Sequence, residues 1–203
     1  MVGSFFARGP SKSDKKPAAA AGKKGVVYME QRLKDGSVLT IRPLEPADAA
    51  LVIAYMQRVS GESDNLTYGT GEFKMTLPEE EAFIQKFQAD GRSQMLGGFI
   101  EDELIGLGNL ACESKPRLAH NGGIGLSVRR DYWAEGVGSA LLMALIRAAT
   151  AAGIKALHLE VNCENKVAIH LYEKYGFEMV GHHEKFFYIN GRYIDILLMD
   201  LYF

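Results

Sequence analysis

The stretch from residue 121 to residue 153 constrains the fold most, because a predicted strand runs through a glycine-containing turn into a long predicted helix. Asn121 to Val128 is strand-like. Gly136 to Gly153 contains the run SALLMALIRAATAAG, which is rich in helix-forming Ala and Leu and ends on a glycine suited to a helix C-cap. A strand that leads directly into a helix is a recurring unit of α/β folds.

The rest of the chain continues this alternation of strand and helix. Two strand-like runs in the middle are separated only by Asp102, so they must pair as an antiparallel hairpin. Asn190-Gly191 is a strong hairpin signal between the last two strands. The pattern therefore predicts a mixed α/β sheet, with strands at residues 37–42, 94–101, 103–112, 121–128, 156–161, 177–189 and 192–201, and helices at 48–59, from about 78, at 136–153 and at 165–175.

The first two predicted helices flank a polar, glycine-rich loop, Ser60 to Lys74. In the helix before the loop, Leu51, Tyr55 and Val59 recur at a spacing of four and share one side. The helix after it carries three consecutive glutamates, residues 79–81, in its first turn, where the helix dipole favours acidic groups.

Composition indicates one soluble globular domain preceded by a tail. The chain has 203 residues, of which 47% are apolar and 24% charged. Residues 1–25 are rich in Lys, Ala, Gly, Ser and Pro, and we expect a disordered basic tail or an expression remnant there. Residues 26–203 are then a single domain. No apolar run is long enough to predict a membrane span, so we expect no membrane association.

Charge and cysteine content narrow the function classes. Residues 1–25 hold six basic groups and one acid, which leaves 17 basic and 24 acidic residues in the domain. Such a domain is a poor general binder of nucleic acid and suits cationic, amine-bearing substrates better. Two cysteines cannot form a disulfide framework, and the chain has no CxxC pair and no HExxH helix. We therefore expect a cytoplasmic protein without a metal site.

The turn before the alanine-rich helix is a candidate anion site. Glycines at 136 and 138 allow a ligand to approach the backbone, and the unpaired N–H groups of a first helical turn attract phosphate. The spacing fits neither a P-loop nor a GxGxxG dinucleotide motif. The alternative is a strand-to-helix turn that merely requires small residues. The candidate diphosphate-binding residues are Trp133, Ala134, Glu135, Gly136, Val137, Gly138 and Ser139.

A second motif follows this turn in the chain, and the two motifs together are more specific than the turn alone. Residues 165–177 match the pattern N-x-x-A-x-x-L-Y-x-x-x-G-F through Asn165, Ala168, Leu171, Tyr172, Gly176 and Phe177. Together the two motifs resemble the acyl-CoA signatures of the GNAT superfamily of N-acetyltransferases, the first of which is Q/R-x-x-G-x-G/A. Trp133 stands at the usual Gln or Arg position, and the Tyr-Trp pair is similar to the ribosomal-protein and small-amine branches of that superfamily.

This resemblance implies a fold and a reaction. The fold would be a largely antiparallel, twisted sheet of about seven strands flanked by four helices, with two splayed central strands. Acetyl-CoA would be the co-substrate, and its acetyl group would pass directly to a primary amine of a small molecule or a protein N-terminus. A homodimer is a further expectation, by analogy with the family.

The resemblance also assigns roles to residues around the cofactor. Leu126, Ser127 and Val128 would present backbone groups to the pantetheine arm and the thioester, in a glycine-rich strand where a bulge is expected. Asn165 would cap a helix and also bond the pantetheine; the alternative is a cap alone.

Tyr172 would be the general acid that protonates the leaving thiolate, with a packed core aromatic as the alternative. A phenol titrates near 10 and a thiol near 8.5, so a hydrogen bond from Tyr172 in the transition state is favoured over complete proton transfer. Glu160 would be the base that deprotonates the amine, directly or through a water, unless it is a surface residue.

The acceptor side is predicted less sharply. The loop after the first helix carries Glu62, Asp64, Tyr68 and Glu72, and the last hairpin carries Tyr188, Tyr193 and Asp195. These residues are candidates for acceptor contacts, although charged loop residues are more often simply solvated. His182 and His183 are expected to be surface residues. Two rival functions remain: a catalytically silent acyl-CoA-binding regulatory module on the same fold, and a nucleotide-binding protein that uses only the glycine turn.

Overall fold

The computed structural model describes residues 29–203, so the predicted tail at residues 1–25 lies outside it. The described chain forms one open sheet of eight strands in the order β1-β2-β3-β4-β5-β6-β8-β7. All neighbouring strands are antiparallel except β5 and β6, which are parallel. The strands are β1 Met29–Arg32, β2 Val38–Pro43, β3 Gln94–Ile100, β4 Glu103–Cys112, β5 Asn121–Val128, β6 Ala156–Asn162, β7 Glu178–Ile189 and β8 Arg192–Tyr202.

Four α-helices flank the sheet: α1 Ala49–Val59, α2 Leu77–Phe87, α3 Val137–Ala151 and α4 Lys166–Lys174. Helix α2 begins at a capping box, in which the side chains of Thr76 and Glu79 satisfy each other's backbone N–H groups. Helix α4 begins at Asn165, whose side-chain oxygen accepts a hydrogen bond from the Ala168 N–H. These local signals explain why the predicted helix starts are accurate to about a residue.

The helices lie on opposite faces of the sheet and build two cores. Helices α1 and α2 pack on β3 and β4 through a cluster that includes Tyr55, Phe87 and Leu107. Helix α3 covers the other face, with Leu141 fully buried against the strands. A Cβ atom at Gly106 of β4 would lie 2.7 Å from Leu141, so this glycine allows α3 to approach the sheet closely.

Strands β5 and β6 separate after a short paired stretch. They pair only from Asn121 with Ala156 to Gly123 with His158. Beyond that point β5 stays paired with β4 as far as Val128, and β6 stays paired with β8 as far as Asn162. The predicted splay of the central strands is therefore present, and it opens a gap in the middle of the sheet.

Three details differ from the sequence predictions. An eighth strand, β1, pairs with β2 through a turn at Asp35-Gly36. Leu51 is 41% exposed, because the buried side of α1 is shifted by one residue to Val52 and Met56. The expected bulge in β5 is absent from its pairing with β4, and register shifts occur instead between β3 and β4 and between β7 and β8.

Candidate active site

A cleft of about 600 Å³ lies along the end of β5, where β6 is no longer paired with it. Its walls come from both faces of the sheet, since the start of α3 and α4 bound one side and the loop after α1 bounds the other. Ten of the predicted site residues line it: Leu126, Ser127, Val128, Trp133, Ala134, Gly136, Gly138, Ser139, Asn165 and Tyr172. Three predicted residues do not: Glu135, Val137 and Glu160.

The turn before α3 has the geometry of an anion cradle. Gly136 is the N-cap of α3 at φ 98°, a conformation that residues with a side chain rarely adopt, and as a glycine it has no side chain to cap the first turn. A Cβ atom at Gly138 would make only ordinary contacts, the nearest at 3.5 Å from Leu171. Packing within the protein therefore does not require glycine at 138, although a ligand lying against the backbone would.

Two residues of the predicted turn do not line the cleft. Val137 is fully buried and packs towards Gly106 of β4, so its side chain belongs to the core. Glu135 has one carboxylate oxygen buried without a hydrogen-bond partner among the described residues. For these two positions only the backbone remains available for binding a diphosphate.

Trp133 is fixed by its indole N–H, which donates to the carbonyl of Val128 at 2.8 Å. The ring is about half exposed, and the guanidinium of Arg130 lies 5.5 Å from its centroid. The hydrogen bond to Val128 holds the segment between β5 and the turn in place. Trp133 itself has no charge, although the motif has Gln or Arg at this position.

Lys34, which is not among the predicted site residues, brings a cation to the same turn. It lies in the β1–β2 turn, and its ammonium group donates a hydrogen bond to the carbonyl of Ala134. The Asp35-Gly36 pair is a hairpin signal that predicts the β1–β2 turn. No local pattern predicts a contact between residues 100 positions apart.

Strand β5 directs alternate backbone groups towards the gap. The Arg129 N–H bonds the carbonyl of Ile105 in β4, so by alternation Leu126 and Val128 turn their backbone groups to the other side, where β6 has separated. The side chain of Ser127 points towards α1 and shares a 2.9 Å hydrogen bond with the Tyr55 hydroxyl.

Tyr172 combines deep burial with an unpaired hydroxyl. It is 0% exposed, its ring stacks edge-on against Phe177 at 5.7 Å, and it lines the cleft. The hydroxyl has no hydrogen-bond partner among the described residues, and burial raises the pKa of Tyr172 above its ordinary value. Because an unpaired buried hydroxyl is costly, it is typical of a group whose partner is a ligand or a water.

Glu160 lies on β6, opposite Leu198 of β8, and is partly exposed. It alternates with His158 and Asn162, so the three side chains share the face of the sheet that α1 and α2 cover. Asn162 bonds Asn65 of the loop after α1 at 3.1 Å. Glu160 is thus on the acceptor side of the gap, but it does not meet Tyr172 in the cleft.

Of the predicted acceptor residues in the loop, only Glu62 reaches the cleft. Its carboxylate is already engaged by the Arg58 side chain at 3.1 Å and the Arg130 N–H at 2.6 Å. Glu72 accepts a bond from the Gly69 N–H, and Tyr68 packs edge-on against Phe73. The other loop residues at the cleft, Ser63, Asn65 and Leu66, carry no sequence signal that would have identified them.

The predicted hairpin residues do not line the cleft. Tyr188 and Tyr193 pack on each other with centroids 5.0 Å apart, and both are exposed. Asp195 pairs with His182 at 3.1 Å and accepts a bond from the Lys185 N–H. The His182 side chain is about half exposed, as expected of a surface residue, and its partner is Asp195.

Residues 29–203 contain no group of three or more His, Cys, Asp or Glu side chains arranged to hold a metal ion. Within the same range, no helix has both the length and the apolar character needed to cross a bilayer.

Comparisons with known proteins identify relatives of this chain by sequence and by fold. A solved GNAT-family acetyltransferase from Streptococcus pneumoniae is 34% identical, with a TM-score of 0.78 over 81% of this chain and 99% of that one. The L-amino acid N-acetyltransferase AaaT of Escherichia coli is 31% identical over 49% of this chain, and the match spans 62% of that enzyme. The spermidine N(1)-acetyltransferase of Vibrio cholerae is 28% identical over 80% of this chain and 92% of its own length.

The family model "Acetyltransferase (GNAT) family" matches residues 63–177, more than half of the chain. A Salmonella typhimurium structure with bound acetyl-CoA shares the fold, at 19% identity and a TM-score of 0.72 over 81% of this chain and 93% of that one. These findings confirm the predicted fold class, enzyme class and co-substrate. The chain therefore belongs to the acetyltransferase (GNAT) family and is an N-acetyltransferase whose co-substrate is acetyl-CoA.

Proposed function

We propose that this enzyme transfers the acetyl group of acetyl-CoA directly to a primary amine of a small molecule or a protein N-terminus. The observation that carries the proposal is the cleft beside β5, which is lined by the glycine-capped start of α3 and by Tyr172, whose hydroxyl has no partner within residues 29–203. The amine nitrogen attacks the thioester carbonyl, the C–N bond forms, and the C–S bond breaks to release CoA.

The diphosphate of acetyl-CoA lies against the first turn of α3. The N–H groups of this turn and the helix dipole supply the attraction, since the N-cap residue, Gly136, has no side chain to occupy them. The ammonium group of Lys34, next to Ala134, adds a cation. The pantetheine arm then follows β5 between Leu126 and Asn165, and the NH₂ group of Asn165 is available as a donor because the cap uses only its oxygen.

Tyr172 stabilises the departing thiolate through a hydrogen bond. Its raised pKa keeps the phenol neutral across the working pH range, so it acts as a donor. Glu160 accepts the amine proton through a water, because its side chain is on the acceptor face but does not line the cleft. Glu62 lines the cleft, but its two carboxylate oxygens accept hydrogen bonds from the Arg58 side chain and the Arg130 N–H.

The acceptor is a small cationic amine. Curated relatives are named for L-amino acids and for spermidine, both of which carry amino groups. The excess of acidic residues after residue 25 favours a cation over an anion. A cytoplasmic location would supply such amines together with acetyl-CoA.

A panel of amines tests this function through the release of free CoA thiol. The panel contains L-amino acids, linear diamines and polyamines, and a peptide with a free N-terminus, each with and without enzyme. We expect saturable turnover with at least one small cationic amine. Acetyl-CoA binding without turnover on any amine would instead support a silent acyl-CoA-binding module, and binding of ATP in preference to CoA in calorimetry would support a nucleotide-binding protein.

A further inference from the structure

The loop segment at residues 62–66 is attached to the ends of both strands that separate at the cleft. The Arg130 N–H, just beyond the end of β5, donates to the Glu62 carboxylate at 2.6 Å. The side-chain NH₂ of Asn162, the last residue of β6, donates to the side-chain oxygen of Asn65 at 3.1 Å. The paired stretch of β5 and β6 ends before these residues. The segment therefore connects two strand ends that are not paired with each other.

Asn162 also fixes the start of α4. Its side-chain oxygen accepts a hydrogen bond from the Glu164 N–H at 2.8 Å, and its backbone carbonyl accepts one from the Asn165 N–H at 2.9 Å. Asn165 is the cap of α4 and lines the cleft. Asn162 thus links the loop segment to the helix that carries Tyr172.

The side chain of Asn162 has one favourable orientation. Asn162 is 2% exposed, so a polar atom that lost its partner there would be left unsatisfied. Because the Glu164 N–H can only donate, the amide oxygen must face it, and the NH₂ group then faces Asn65. The backbone after β6 therefore directs the NH₂ group of Asn162 at the loop.

The attachment at β5 does not replace the one at β6. Glu62 bonds the Arg58 side chain, near the end of α1, and the Arg130 N–H, after β5. Without the bond from Asn162 to Asn65, these contacts would still hold the segment near β5, while its distance from β6 and α4 would vary. The diphosphate-binding turn follows β5 and should be unaffected.

We propose that Asn162 is a positioning residue for acetyl transfer, which through Asn65 fixes the distance between the loop wall of the cleft and α4. Asn162 does not line the cleft, so it acts through Asn65, which does. The inference rests on the proposed function, since it places the acceptor against the loop wall. The reacting atoms must approach to about 3–3.5 Å, and a misplacement of about 1 Å can cost about 100-fold in rate.

Two carboxylate substitutions of nearly equal size test the bond. In Asn65→Asp, the new carboxylate still accepts from the Asn162 NH₂ group. In Asn162→Asp, one oxygen still accepts from the Glu164 N–H, and the Asn65 amide can rotate to donate to the other. In the double variant two carboxylates of like charge face each other without a donor, so the bond is lost. The single variants are the matched controls.

Steady-state kinetics with the best amine of the panel compares the four proteins. Each single variant should keep kcat/KM for the amine within about threefold of the wild type. The double variant should lose at least tenfold, mainly in kcat, while calorimetry gives the same acetyl-CoA affinity in all four. A double variant as active as the single ones would overturn the proposal. So would a parallel loss of acetyl-CoA affinity, because it indicates general damage to the site.

Asn65→Ala provides a second variant if the double variant folds poorly. It truncates a partly exposed loop residue and leaves Asn162 in place. It should lower kcat/KM for the amine at least tenfold at unchanged acetyl-CoA affinity. A wild-type kcat/KM in Asn65→Ala would contradict the proposal.

Hydrogen–deuterium exchange supplies a readout that does not require turnover. The amides of residues 60–74 should exchange several-fold faster in Asn65→Ala and in the double variant than in the wild type. Unchanged exchange would show that Asn162 does not hold the loop. Faster exchange in the variants, together with a wild type that acetylates no amine, would contradict the proposed function alone.

Discussion

Tyr172 is the residue on which the proposed chemistry depends most. Because its hydroxyl has no partner in the described part of the chain, Tyr172→Phe removes an unsatisfied polar atom and leaves none behind there. The variant should keep the thermal stability and acetyl-CoA affinity of the wild type while kcat falls about 100-fold. Steady-state kinetics beside a thermal melt checks this, and an unchanged kcat would reduce Tyr172 to a core aromatic.

A substitution at Gly138 can change the affinity for acetyl-CoA without changing the packing of the protein. An added Cβ atom meets only ordinary contacts in the protein, and Ala is a better helix former than Gly by about 1 kcal/mol. Gly138→Ala should therefore leave Tm equal or slightly higher, yet weaken acetyl-CoA by about tenfold or more because the methyl group occupies the ligand's place. Isothermal calorimetry measures the affinity. Unweakened binding would show that the diphosphate does not lie against this turn.

At the scale of elements, Asn165 at the start of α4 has two proposed roles, as the helix cap and as a donor to the pantetheine arm. Different substitutions can remove them separately. Asn165→Ala removes the cap on the Ala168 N–H and should cost about 1 kcal/mol of unfolding free energy. Asn165→Asp keeps the capping oxygen but lacks the NH₂ donor, so stability should recover while KM for acetyl-CoA stays raised. Equal KM values for the wild type and Asn165→Asp would leave Asn165 as a cap alone.

Sequence predicted the elements well where the deciding signal is local. Three short signals each determine the local backbone structure: Gly136, the Asn165 cap and the Asn190-Gly191 turn. The structure forms the expected helix or hairpin at each of them. Strand β1 was missed because four residues with little apolar content give no clear strand pattern.

The same limit explains which parts of the site were not predicted. The contact of Lys34 with Ala134 and the hydrogen bond from Asn162 to Asn65 both depend on how distant elements pack. The two asparagines are 97 positions apart in the sequence, and neither lies in a pattern that indicates its partner.

For the whole molecule, charge should govern how the acceptor arrives. The domain after residue 25 has 17 basic and 24 acidic residues, so it attracts cations over a range set by the Debye length. KM for a cationic amine should therefore rise between about 0.05 and 0.5 M NaCl, while KM for an uncharged amine should change little. Initial rates across a salt series provide the measurement, with sodium sulfate at matched ionic strength as the control. A salt-independent KM for the cation would contradict electrostatic attraction.

Elements on both faces of the sheet contribute to the walls of the cleft, because β5 and β6 are no longer paired beyond Gly123 and His158. Donor and acceptor therefore need not share an entrance. Acetyl-CoA and the amine can then be bound at the same time, in a ternary complex. Double-reciprocal plots of initial rate against substrate concentration should therefore intersect. A ping-pong mechanism would give parallel lines. A bisubstrate analogue, in which CoA is covalently joined to the amine, would have to contact cleft residues on both faces of the sheet.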